Sequence, residues 1–191
     1  MADELNWGCE CGAVRMRIAP IRGTRCICYC RDCQAFARHL KHDHLLDSAG
    51  GSDLFQTLPE YVIIENGADR IKALRLTDKG PIRWYAGCCG TPICNTGARR
   101  ALPLASFLVP GFDHSDLAGP VLARVNLGGA RAFVPEGKGH VGRLIRKFVA
   151  RTAKSLLTGG FRGSPFFDGN GRPICDPARL SQAERRVAYD G

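Results

Sequence analysis

Cys26-Ile27-Cys28-Tyr29-Cys30-Arg31-Asp32-Cys33 packs four cysteines into eight residues. A shorter group, Cys9-Glu10-Cys11, lies upstream, and Cys88-Cys89 opens the turn Cys89-Gly90-Thr91-Pro92 downstream. Nine of the ten cysteines fall in the first 94 residues. Thiolates one or two residues apart can face a common centre, which is what tetrahedral Zn²⁺ needs. Cys-x-Cys neighbours rarely meet disulfide geometry with each other, and a reducing compartment leaves such thiols available to metal. Iron also takes soft thiolates, but zinc is the commoner outcome.

Cys28-Tyr29-Cys30-Arg31-Asp32-Cys33 reads as a strand-to-helix junction. A metal holds sulfurs deprotonated, and a helix N-terminus favours negative charge beside them. Three protein thiolates leave a fourth position for water or a substrate sulfur.

Outward from this junction the first half reads as short strands. Val14 to Ile18 alternates apolar and basic residues, as a half-exposed strand does. Tyr61 to Glu65, Ile71 to Leu76 and Ile82 to Tyr85 continue the series, separated by Asn66-Gly67 and Lys79-Gly80-Pro81. Ile71, Ala73, Ile82 and Trp84 are candidate core positions. One helix is predicted from about Asp32 to Leu46, with Phe36 and Leu40 on one face. Beyond residue 100, strands are expected at Phe107–Val109 and Val121–Leu127. A helix from Val141 to Leu157 carries Val141, Leu144, Ile145, Phe148, Thr152 and Leu156 at helical spacing. Arg143, Arg146, Lys147, Arg151 and Lys154 occupy its other faces, and Gly159-Gly160 stops it. A loop-rich tail ends in a short helix near Ser181 to Val187.

The 191 residues suffice for a real core, and 45% apolar with 24% charged residues is ordinary for a folded protein. No apolar run approaches the roughly 18 residues of a membrane span, and acidic Asp3 and Glu4 stand where a signal peptide is basic. A cytoplasmic protein is therefore expected. The formal charge is +9; seven thiolates holding two Zn²⁺ would leave about +6. A basic chain suits anionic small molecules, acidic surfaces or nucleic acid without choosing among them.

The order Gly8-Cys9-Glu10-Cys11-Gly12-Ala13-Val14-Arg15, then Cys28-Tyr29-Cys30-Arg31-Asp32-Cys33-Gln34, then Cys89-Gly90-Thr91-Pro92 resembles the glutathione-dependent formaldehyde-activating enzyme and centromere protein V-like family. The resemblance covers roughly residues 6 to 96. It implies a mostly β zinc-binding fold, the β-tent, with two zinc sites. Cys28, Cys30 and Cys33 would form an open, catalytic-type site, while Cys9 and Cys11 would join late cysteines in a closed structural one. The family's late motif reads Cys-x-x-Cys-Gly-Thr, and Ala86 stands where its first cysteine belongs. Cys88 is the substitute, so Cys88 and Cys89 would both ligate. Adjacent ligands are awkward in extended backbone, and a sharp turn at Gly87 or Gly90 would relieve this. The Gly-Ser stretch that often follows the reactive cysteines is replaced by Phe36-Ala37-Arg38-His39. The implied activity is that of a carbon–sulfur lyase, making or breaking the adduct of glutathione and formaldehyde. Arg31, Arg38 and Lys41 could receive the tripeptide's carboxylates, or be solvated helix charges.

Other features have a functional and a plain reading. His39 and His42, one helical turn apart, could approach a common metal or be polar surface. Cys26 could compete as a ligand or be a small buried residue; Cys94 and Cys175 lack partner spacing. Trp84 and Tyr85 could stack on a ligand or fill a strand core. The basic helix from Val141 could lie on lipid, track phosphates, or pack its apolar stripe on the domain. The resulting expectation is a mostly β zinc protein with an α-helical C-terminal extension. Residues 1–100 would form the zinc domain, and residues 101–191 would complete it or be appended to it. The competing expectation is a non-catalytic zinc-stabilised module whose basic helix binds an acidic partner or nucleic acid. Redox sensing by the crowded thiolates is a third.

Overall fold

Eleven strands and three α-helices arrange the chain in a computed structural model that describes residues 4–19 and 23–190. Asp3 lies outside the described residues. Strands β1 (Leu5–Gly8), β2 (Arg15–Ile18) and β5 (Val62–Asn66) form an antiparallel three-stranded sheet in the order β1-β2-β5. The larger sheet draws on β3 (Thr24–Cys28), β4 (Ser52–Thr57), β6 (Ile71–Arg75), β7 (Ile82–Ala86), β8 (Pro92–Thr96), β9 (Ala105–Leu108), β10 (Val121–Val125) and β11 (Ala178–Arg179). Its order is β10-β3-β4-β9-β8-β7-β6-β11. Only the outer pairs, β10 with β3 and β11 with β6, run parallel.

The protein is thus mostly β, with helices α1 (Arg31–His39), α2 (Val141–Thr158) and α3 (Gln182–Asp190). Among the described residues no helix is long and apolar enough to cross a membrane. Strand β9 lies between β4 and β8, while β10 and β11 form the two ends of the sheet, so residues beyond 100 occupy both its middle and both its edges.

One core serves both sheets. Leu5, Trp7, Met16 and Ile18 from the small sheet join Phe55, Ile82, Trp84, Ile93 and Phe107 from the large one, with Phe112 and Phe166 from loops. The expected core positions Ile71, Ala73, Ile82 and Trp84 are all buried there. Trp84 also donates its indole N–H to the Thr96 hydroxyl at 2.9 Å, so the burial leaves no unpaired donor. Tyr85 is half-buried on the opposite face, against Phe36 and Leu74. Full burial of such side chains contributes about 1.5–3 kcal/mol each.

The first helix is shorter than its sequence pattern suggests. It spans Arg31–His39 rather than extending to Leu46, because Lys41 adopts φ 61°, in the left-handed region. A right-handed helix cannot pass through that conformation, which costs a non-glycine residue roughly 1–2 kcal/mol. Strand β10 likewise stops at Val125, before Asn126 at φ 58°; Asn tolerates this region better than most residues. Helix α2 ends at Thr158, with Gly159 left-handed at its C-terminal cap. Helix α3 packs on α1, where Arg38 donates to the Ala188 carbonyl at 2.8 Å and the Tyr189 hydroxyl donates to Asp32 at 2.7 Å.

Candidate metal centres

Two tight turns bring four sulfurs together. In the first, the Gly12 N–H donates to the Cys9 carbonyl at 2.8 Å, and Gly12 sits at φ +72°. In the second, the Gly90 N–H donates to the Ala86 carbonyl at 2.7 Å, and Gly90 sits at φ +79°. Glycine alone among the common residues enters that region at no steric cost. The sulfurs of Cys9 and Cys11 lie 3.6 Å apart, Cys9 and Cys88 3.8 Å, Cys11 and Cys88 3.3 Å, and Cys88 and Cys89 3.8 Å. A Zn–S bond of about 2.3 Å gives a tetrahedral edge of about 3.8 Å. All four ligand atoms fall within 4.8 Å of one another, so this set could hold one metal ion with no protein position left open.

The adjacency of Cys88 and Cys89 has a direct explanation. Both belong to the turn between Ala86 and Gly90, not to extended backbone, so their side chains need not alternate. Ala86 itself is buried in the core at the end of β7. Thr91 staples the two turns: its hydroxyl accepts the Glu10 N–H at 3.2 Å and lies 3.0 Å from the Cys89 sulfur. The Val14 N–H points at the Cys9 sulfur at 3.2 Å, a contact that favours thiolate. Although Cys88 is exposed, desolvation by the crowded sulfurs and hydrogen bonds shared with Cys11, Cys89 and Cys9 push its thiol up to about 12. At Cys89 burial also acts upward, but hydrogen bonds from the Thr91 hydroxyl and from the backbone of Cys11 and Thr91 outweigh it and bring the thiol down to about 6.

The second set sits where β3 runs into α1. Cys28 is the last residue of β3, Cys30 caps α1 and Cys33 lies in its first turn; their sulfurs also fall within 4.8 Å of one another. The Cys30 sulfur accepts the Cys33 N–H at 3.4 Å, as an N-cap acceptor does. Cys28 and Cys33 are buried against Leu54, Leu108, Ala123 and Leu144, while Cys30 is only half-buried. Sharing protons with Cys28, and burial, take the Cys33 thiol up to about 11, although Arg83 pulls the other way. At Cys30, Cys28 acts downward, but Cys33 and burial carry the thiol up to about 11. Three crowded thiols in apolar surroundings hold their protons until a cation replaces them. This set could hold a metal ion with one coordination position left for a non-protein ligand.

Three polar residues that the motifs did not single out for a role support the second set. Asn126 donates from Nδ2 to the Cys28 sulfur at 3.2 Å. Arg83, 2% exposed, places Nη1 3.9 Å from the Cys33 sulfur and 3.0 Å from Asn95 Oδ1, with Asp32 3.7 Å from Nη2. Its guanidinium also lies over the Phe36 ring. Buried Gln34 donates to the carbonyls of Tyr29 and Gly129 and accepts from Arg131 and Arg38, tying the loop after β10 to the start of α1. The sequence signal for Arg83 was weak but present: a charge within Ile82-Arg83-Trp84, a strand whose first three residues are all buried.

The remaining candidates fall elsewhere. Cys26 is fully buried, is pushed up to about 12 by burial, and stands outside the three-sulfur group. Cys94 lies opposite Trp84 in the core, and Cys175 packs at the core's edge. His39 ends α1, so it is not one helical turn from His42. His42 and His44 instead flank Glu10, their Nε2 atoms 3.3 and 3.4 Å from its Oε1. Arg31 lies over the Tyr189 ring. Arg38, His39 and Lys41 line a groove of about 630 Å³ against α3, near the end of α1 away from Cys30. A smaller cavity of about 220 Å³ is lined by Glu10, Leu45, Thr91, Leu108 and Asp113 among others. Its Leu45 and Leu108 also pack in the cluster around Cys28 and Cys33.

A sequence profile described as a family of unknown function (DUF6151) matches residues 1–177. No curated protein matches the chain. A crystal structure of a Rhodobacter sphaeroides protein, a structural-genomics target, is similar at 18% identity and a TM-score of 0.40, over 61% of this chain and 96% of that one. A likeness of that size carries no argument about this chain. Neither match names a formaldehyde-activating enzyme.

Proposed function

The chain belongs to the DUF6151 family, and for this member we propose a zinc-dependent carbon–sulfur lyase-like activity on the adduct of formaldehyde with glutathione or a related thiol. The observation that carries the reading is the three-sulfur set of Cys28, Cys30 and Cys33, separate from a complete four-sulfur set. A β-tent arrangement with one structural and one catalytic-type zinc accounts for both sets together. Cys9, Cys11, Cys88 and Cys89 would hold the first ion, and Cys28, Cys30 and Cys33 the second. Bound Zn²⁺ supplies Lewis acidity and lowers the pKa of a thiol that joins it.

In the synthetic direction a C–S bond forms between the thiol sulfur and the formaldehyde carbon, and the thiol proton ends on the former carbonyl oxygen. The reverse direction breaks that bond. The protein's own residues prepare the site for this. Asn126 and Arg83 direct N–H groups at Cys28 and Cys33, and Gln34 fixes the surrounding backbone. Leu54, Leu108 and Leu144 keep water from the buried sulfurs. The 220 Å³ cavity, which shares Leu45 and Leu108 with the cluster around Cys28 and Cys33 but is lined by none of the three cysteines, carries Glu10 and Asp113 and no Lys or Arg. Arg31 and Arg38 are already engaged with α3. A small or weakly charged thiol therefore suits the site better than one needing two free cations.

Zinc content measured with and without added thiol tests the proposal. Two zinc per chain are expected, with a thiol-dependent change in the absorption of a Co²⁺-substituted protein and turnover of formaldehyde with glutathione or a smaller thiol. A single zinc retained by the Cys9 set would reject the enzyme and leave a zinc-stabilised binding module.

A further inference from the structure

Helix α2 touches the rest of the protein along one narrow side. Leu144 and Ser155 are its only buried residues; the Ser155 hydroxyl donates to Glu60, and Arg151 donates to the Thr24 hydroxyl at 3.0 Å. About a quarter-turn around the helix lies a second apolar stripe that the fold leaves in solvent. Ile145, Val149 and Leu156 share it, exposed by 56%, 54% and 43%, with the small residues Gly142 and Ala153 along its edge. Next around the cylinder come four cations, Arg146, Arg143, Lys154 and Lys147, with Leu157, 88% exposed, between the first two. Among the described residues none of these four forms an ion pair. From residue 137 to residue 167 the chain has seven Lys and Arg residues and no Asp or Glu.

We propose that α2 seats the protein on an anionic lipid surface, lying in the plane of the interface. Ile145, Val149 and Leu156 enter the boundary between headgroups and acyl chains, and Arg143, Arg146 and Lys147 meet the headgroup phosphates. The features required of such a helix are all present: a cationic face, an adjoining exposed aliphatic stripe and low overall hydrophobicity. Nucleic acid would use the cations but has no use for three exposed aliphatic side chains beside them. A second copy of the chain would cover the stripe but bring two acid-free basic faces together, a repulsive arrangement. The inference is independent of the chemistry at the cysteine sites.

Sedimentation of the protein with lipid vesicles provides the test. Binding is expected to vesicles of phosphatidylcholine mixed with phosphatidylglycerol, not to phosphatidylcholine alone, and to weaken as salt is added. The paired change Ile145→Ser and Val149→Ser should lower partitioning at least about tenfold. Arg143→Glu with Arg146→Glu should abolish it. Both pairs are solvent-facing, so unchanged zinc content and circular dichroism establish that the fold is intact. Three results would overturn the proposal. One is no binding to the anionic vesicles. Another is binding that the serine pair leaves untouched while the glutamate pair removes it, which is phosphate tracking of the kind nucleic acid satisfies. The third is a lipid-free dimer that the serine pair converts to monomer.

Discussion

The two sulfur sets differ in how far the chain travels to make them and in where the fold puts them. The Cys9 set joins turns whose contacting cysteines are 77 and 79 residues apart, so a metal there closes a long loop and acts on folding. The Cys28 set spans one strand end and one helical turn, and a metal there joins nothing that the backbone has not already joined. Exposure runs against intuition. Cys11 and Cys88 of the complete set are exposed, while Cys28 and Cys33 of the incomplete set are buried. A free coordination position is thus not the same thing as an open surface; half-buried Cys30 is the most accessible of the three sulfurs.

The sharpest way to break this contrast is to remove one sulfur from each set. Cys88→Ser is expected to remove one zinc and unfold much of the protein. Structural zinc contributes about 10–16 kcal/mol of apparent binding free energy, comparable with the whole net stability of about 5–15 kcal/mol of an ordinary domain. Zinc analysis with a thermal melt checks it, and an unchanged melt would show that the long loop is closed by packing alone. Cys30→Ser is expected to remove the other zinc and to lower the melting temperature by only about 2–4 °C, the response to roughly 1 kcal/mol in a chain of this size. Serine is itself a good N-cap, so α1 keeps its start. A collapse of Cys30→Ser as severe as that of Cys88→Ser would erase the distinction between the sites.

A smaller effect sharpens the assignment of supporting residues. Asn126→Gly keeps the left-handed backbone at φ 58° but deletes the donor to Cys28. Loss of such an outer partner typically weakens metal binding about 10–100-fold. Competition with a chelator should show that loss at the Cys28 set and leave the Cys9 set unchanged. Equal weakening at both would mean that Asn126 acts through general stability.

Much of this arrangement was legible because cysteine spacing is a local signal. The sulfurs of Cys28, Cys30 and Cys33 converge because a strand end and an N-cap are local structures. The turns at Gly12 and Gly90 are likewise written in adjacent residues. Strand β1 was harder to see: Leu5-Asn6-Trp7 has room for only one alternation, and its pairing with β2 and its place under the large sheet are tertiary. Strand β8 was hidden because all five of its residues are buried, leaving no alternation to read. The apolar spacing of α1 continues past the point where Lys41 turns left-handed, so the sequence pattern runs longer than the helix. Arg83, Asn126 and Gln34 reach the site from distant positions or by backbone contacts, so no sequence window could assign them.

Cys26 supplies the smallest effect and a test of where the second set ends. It shares a strand face with Cys28 and is a natural competitor for the metal, yet burial drives its thiol up to about 12. Geometry sets it apart from the other three: it is fully buried and its sulfur stands outside the three-sulfur group. Cys28, Cys30 and Cys33 also have raised thiols, so zinc must displace their protons and its affinity must fall as pH falls. With three protons released, the apparent affinity should change up to about a thousandfold per pH unit while pH stays well below those values. Cys26→Ala should leave both that slope and the zinc content unaltered and cost about 1 kcal/mol in packing. Chelator competition at several pH values reads the slope directly. A shallower slope in Cys26→Ala would make Cys26 a fourth sulfur and close the position on which the proposed chemistry depends.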